Sequence, residues 1–81
     1  MTFQNFDRIT STPNVLGGKP CIRGMRISVQ RVLEILADNP SWDEIKKDYP
    51  ELEPEDIRQA LSFAALSLSE DKFVPLDSLV A

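Results

Sequence analysis

Residues 28–69, SVQRVLEILADNPSWDEIKKDYPELEPEDIRQALSFAALSLS, decide the fold because they predict three consecutive helices. Ser28 is a good N-cap for a first helix over Val29 to Asp38, since its hydroxyl can accept an otherwise unpaired amide of the first turn. Asn39-Pro40 ends this helix. Apolar residues at helical spacing give the helix one buried side. They are Val29, Val32, Leu33, Ile35 and Leu36.

A second helix is predicted from Trp42 to about Asp48, where Ser41 and Glu44 have the spacing of a capping box. Pro54 suits the first position of a third helix, which we expect to reach residues 67–69. One apolar side of the third helix is expected to face the core. It consists of Ile57, Ala60, Leu61, Ala64 and Leu68.

The segment before the helices predicts β-structure. All three glycines, Gly17, Gly18 and Gly24, lie within eight residues, so tight turns are concentrated there. Together with the β-prone residues around them, they predict an irregular β-hairpin over residues 8–28. The fold class is therefore α+β and mainly helical, with an N-terminal β-hairpin followed by three helices. The short link over residues 49–53 fits a helix-turn-helix, and a plain three-helix bundle fits equally well.

The chain is expected to form one small domain. It has 81 residues and a mass of 9.1 kDa, and residues 1–81 divide into the β element (8–28), the three-helix bundle (29–69) and a C-terminal tail (70–81). A domain of this size buries a thin core, so we expect a homodimer or another partner chain. Its longest apolar run, residues 63–66, is too short to span a membrane.

The absence of histidine narrows the function. With no histidine and one cysteine, Cys21, the chain cannot form a catalytic triad or a structural zinc site. We therefore expect no enzyme activity, no catalytic residues, no metal and no cofactor. The single cysteine, and a start without a secretory signal, fit the cytoplasm.

Charge is unevenly distributed along the chain. Residues 8–33 contain five cations and no acid, whereas the net charge of the whole chain is −4. The uneven charge predicts contact with DNA or with a second subunit. The alternative is that the two parts neutralise each other within the fold. The candidate contact residues are Lys19, Arg23, Arg26 and Arg31.

The start of the third helix is acidic. Glu51, Glu53, Glu55 and Asp56 would repel DNA phosphates, so this helix is a poor candidate for groove contact. We expect Glu55 and Asp56 to stabilise the positive end of the helix instead. A metal site here is the weaker alternative.

The tail is apolar. Its candidate partner-binding residues, Phe73, Val74, Leu76 and Leu79, either order on a partner or dock on the protein's own helices.

Two motifs resemble one bacterial family. VLGGKPCIRGMRI at residues 15–27 resembles the hallmark of the domain of unknown function 433 family, and DYPEL at 48–52 followed by PEDI at 54–57 resembles its second signature. The resemblance runs from Ile9 to Leu66. Met25, Ser28, Asn39-Pro40 and Glu53 depart from the family's pattern.

The resemblance implies a homeodomain-like domain acting as an antitoxin. Its partner would be a toxin similar to nucleases of the PIN type, and operator DNA would be a second partner. A DNA-binding regulator without a toxin is the alternative function. Glu53 stands where the family has a Thr or Ser N-cap, which would cost about 1 kcal/mol and weakens the case for DNA binding through the third helix.

Overall fold

The computed structural model describes residues 2–3 and 5–69, and it confirms an N-terminal antiparallel hairpin followed by three helices. The elements are β1 (Thr2–Phe3), β2 (Phe6–Thr10), β3 (Cys21–Ile22), α1 (Val29–Asp38), α2 (Trp42–Asp48) and α3 (Pro54–Ser69). A 3₁₀ turn, Leu16–Gly18, separates β2 from β3. The partner-binding candidates Phe73, Val74, Leu76 and Leu79 lie outside the described residues.

The β element begins earlier than the predicted boundary at residue 8. β1 pairs antiparallel with β2, and β2 pairs antiparallel with β3, where Ile9 lies opposite Ile22. The hairpin is irregular, as expected: β3 is only two residues long, because Arg23 and Gly24 both have positive φ and reverse the chain. The Met25 amide closes this turn on the Ile22 carbonyl at 2.7 Å.

Local capping sets the helix starts, in one case differently from the prediction. The Ser28 hydroxyl accepts from the Arg31 amide at 2.9 Å, as expected for the N-cap of α1. The capping box of Ser41 does not form. Asn39 takes its place, since its side-chain oxygen accepts from the Ser41 amide and its nitrogen donates to Glu44. An Asn side chain forms such a turn with the backbone two residues further on.

The core lies where α1, α3 and β2 pack together. Its buried residues come from β2, β3, the three helices and the link before α3: Phe6, Ile9, Ile22, Val29, Val32, Ile35, Ile45, Leu52 and Ala60. The buried side of α3 agrees with the prediction only in part. Ala60 is buried and Ile57 packs against the core, as predicted. Leu61 and Leu68 are instead about half exposed, at 49% and 50%, and Asp56 and Gln59 are buried.

Aromatic packing accounts for this orientation of α3. The Phe63 ring stands edge-to-face against Phe3 and Phe6, with ring centroids 4.9 and 5.4 Å away. Phe63 shares a helix side with Asp56, Gln59 and Ala60, so its contacts turn that side inward. Among the described residues, no helix is long and apolar enough to cross a membrane.

Candidate interaction surfaces

The Arg23-Gly24 turn points a cation at the start of α3. Arg23 has a φ of 45°, and its amide donates to the Arg8 carbonyl at 2.8 Å, which anchors the turn on β2. Its guanidinium donates to both carboxylate oxygens of Asp56, at 3.0 and 2.9 Å. This two-point contact holds a planar guanidinium in one orientation.

Asp56 is the centre of a charge cluster that we call the Asp56 cluster: Arg8, Arg23 and Asp56. The Asp56 side chain is fully buried, and Arg8 adds a second guanidinium at 3.0 Å. The Glu53 amide donates to the same carboxylate at 2.9 Å, so Asp56 also caps α3. A buried carboxylate is tolerated because these donors satisfy both of its oxygens.

The cluster keeps Asp56 ionised. Burial raises the pKa of Asp56, but hydrogen bonds from Arg23, the Glu53 amide and Arg8 outweigh burial and hold the pKa below its ordinary value. The cap therefore carries a full negative charge at the positive end of the helix.

The remaining acids of this region are mostly engaged within the chain. Glu53 accepts from Arg8 at 2.5 Å. Glu55 binds Arg58 and Gln59, and these two hydrogen bonds lower the pKa of Glu55 to about 2. The expected helix-stabilising role of Asp56 is realised. Within residues 2–3 and 5–69, no three or more Cys, Asp or Glu side chains are arranged to hold a metal ion.

The four predicted DNA or dimer contacts fall into two pairs. Arg23 is bound to Asp56, and Arg31 lies within 3.4 Å of both Glu34 and the Tyr49 hydroxyl. Lys19 and Arg26 are exposed and form no ion pair with the described part of the chain. Arg23 is thus neutralised internally, Arg31 is exposed but has long contacts at 3.4 Å, and Lys19 and Arg26 are the two of these four cations without an ion pair in the described residues.

Arg8 and Gln59 are structural residues that the sequence analysis did not single out. The Gln59 oxygen accepts from the Arg8 amide at 3.0 Å, and its nitrogen donates to Asp7 at 2.7 Å. These contacts fasten α3 to β2. One feature of the sequence indicates these contacts. Asp56 and Gln59 lie one helical turn apart on a side of α3 that is otherwise rich in apolar residues.

Two apolar features on the surface of the described residues are candidates for binding. The outer stripe of α3 consists of Leu61, Ala65 and Leu68, which share one side of the helix and are exposed. The second feature, the α1/α3 groove, has a volume of about 300 Å³. Its apolar walls are formed by Pro20, Val29, Leu33, Phe63 and Ala64, and the polar residues Lys19, Ser28, Gln30 and Ser67 also line it.

The chain is thus a small α+β domain with a buried charge cluster and exposed apolar surface. The model of a family described as "Protein of unknown function (DUF433)" matches residues 9–64, and the chain belongs to this family. It is 38% identical over 56 residues to "Uncharacterized protein y4eO" of Sinorhizobium fredii (strain NBRC 101917 / NGR234). That match covers 69% of this chain and spans 25% of the relative. No solved structure is significantly similar to the chain.

Proposed function

We propose that this protein is an antitoxin-like binding protein, without enzyme activity, that covers and neutralises a PIN-like nuclease. The outer stripe of α3 is the observation that supports this function most directly. Burial of the exposed Leu61 and Leu68 side chains against a partner would be favourable in free energy. Contiguous apolar surface on a small domain is typical of an interaction site. The net charge of −4 suits a partner whose RNA-binding channel is basic.

The double substitution Leu61→Glu with Leu68→Glu is expected to weaken nuclease binding by at least about 100-fold, since burying each leucine contributes at least about 1.5 kcal/mol and each 1.4 kcal/mol is tenfold in affinity. The measurement is the dissociation constant with the PIN-like product of an adjacent gene, together with rescue of cells that express that nuclease.

Leu66→Glu is the matched control, because Leu66 is 52% exposed on a different side of the same helix. It should leave binding and rescue nearly unchanged. If Leu66→Glu weakened nuclease binding as much as the double substitution, the outer stripe would not be the specific interface. Full rescue by the double variant would contradict its role altogether.

Operator binding is the second part of the proposal. The exposed Lys19 and Arg26, which have no ion pair within the described residues, support it. The start of α3 is disfavoured as the DNA contact because Glu51 and Glu53 are exposed there.

Lys19→Ala with Arg26→Ala is expected to weaken operator binding and to lower the salt-dependence slope by about one for each lost phosphate contact. Mobility shift at several salt concentrations measures this. Lys46→Ala with Lys47→Ala is the control, since these α2 lysines are also exposed. Equal effects of the two pairs would indicate only nonspecific attraction. DNA binding without any nuclease binding would favour the alternative function, a transcriptional regulator.

A further inference from the structure

We propose that the α1/α3 groove is the docking site of this chain's own C-terminal segment, residues 73–80, Phe-Val-Pro-Leu-Asp-Ser-Leu-Val. The groove is an open apolar channel of about 300 Å³, and its walls include Leu33, Phe63 and Ala64. Five of the eight residues of the segment are large and apolar: Phe73, Val74, Leu76, Leu79 and Val80. Burying such side chains in an apolar channel removes both surfaces from water.

Chain connectivity places the segment next to the groove. Ser67 lines the groove, and α3 ends two residues later at Ser69. Residues 70–72, Glu-Asp-Lys, are a polar linker that can span about 10 Å when extended. The segment is therefore delivered to the groove at the high effective concentration of a short tether, which favours this segment over one from another molecule.

Charge supports the same occupant. Lys19 also lines the groove and forms no ion pair with any residue in the described part of the chain. The tail carries three acids, Glu70, Asp71 and Asp77, against the single cation Lys72. A net negative segment beside an unpaired lysine is electrostatically favourable.

Trypsin cleavage of the Lys72–Phe73 bond in the full chain tests this docking. A docked segment cannot take the extended form that the protease needs, so wild-type cleavage should be slow. Ala64→Gln places a long polar side chain in the groove, and we expect cleavage to become about tenfold faster, because cleavage follows the population of the undocked tail.

Ala65→Gln is the matched control, since Ala65 is the next residue of the same helix and lies on the exposed outer stripe. Its cleavage rate should equal that of the wild type. Equal rates for Ala64→Gln and Ala65→Gln would overturn the docking proposal. Protection that increases with protein concentration would place the tail of a second copy in the groove, and this also overturns docking within one chain.

Leu76→Asp tests the same contact from the tail, where a substitution leaves the described core intact. Cleavage should accelerate as much as in Ala64→Gln, and combining the two substitutions should add little, because both remove one interaction. Fully additive effects would show that residues 64 and 76 act independently and would contradict the proposal. Docking requires no partner, so these results stand apart from any outcome of the nuclease-binding experiment.

Discussion

Asp56→Asn is expected to lower the free energy of unfolding by about 3 kcal/mol, because it leaves two guanidinium groups facing a neutral amide in a buried site. Asp56 is fully buried and receives Arg8, Arg23 and the Glu53 amide. Asn has nearly the same shape, so the loss reports the charge and not a cavity. Urea unfolding followed by circular dichroism measures it.

Glu51→Gln is the control for this prediction, since Glu51 is an exposed acid five residues earlier whose side chain has no ion pair within the described part of the chain. It should change the unfolding free energy by less than about 0.5 kcal/mol. A wild-type stability for Asp56→Asn would mean that the Asp56 cluster contributes nothing net to folding.

Acid titration provides a second measurement on the same variant. The pKa of Asp56 is lowered in the folded protein, so its contribution is present above its unfolded-state pKa and is lost as the pH falls through the folded-state pKa. Glu55, whose pKa is lowered to about 2, contributes with the same sign. Wild-type stability should therefore decrease from about pH 4.5 towards pH 2. Asp56→Asn should show a flatter decrease, and an unchanged slope would contradict the assignment.

Arg23→Ala is expected to destabilise the protein by about 2 kcal/mol, less than Asp56→Asn because the Arg23 side chain is 35% exposed and Arg8 still pairs with Asp56. Arg26→Ala, three residues later and exposed, should cost less than about 0.5 kcal/mol. The midpoint of urea unfolding for the two variants measures the difference.

This pair of arginines also decides how DNA-binding experiments are to be interpreted. Loss of DNA binding in Arg23→Ala indicates a lost DNA contact only if the free energy of unfolding of the variant is unchanged. Loss in Arg26→Ala, with unchanged unfolding, reports a contact. Equal stabilities of the two variants would show that the Arg23–Asp56 pair is dispensable and would return Arg23 to the DNA-contact candidates.

Several parts of the fold were predictable because they depend on neighbours in the chain. Ser28 begins α1 through a hydrogen bond to a residue three positions away. Pro54 begins α3, and Asn39-Pro40 ends α1, through restrictions on their own backbone. The capping box at Ser41 was a local prediction that was wrong, because Asn39 competes for the same donor and acceptor.

The candidate site was predictable only as a set of charges. The sequence shows Lys19, Arg23, Arg26 and Arg31 as an unusually basic group, but it does not distinguish the paired from the unpaired members. The structure separates them. The Asp56 carboxylate binds the guanidinium groups of Arg8 and Arg23, whereas Lys19 and Arg26 are exposed.

By itself, the sequence determined the order and limits of the helices, the position of the turns and the family of the chain, because these follow from interactions across a few residues. Tertiary structure alone decided which charges are internal and which side of α3 is buried. Arg8 and Arg23 lie 48 and 33 positions from Asp56 in the chain. Contacts over such separations depend on how the Phe3, Phe6 and Phe63 rings pack, which no local pattern specifies.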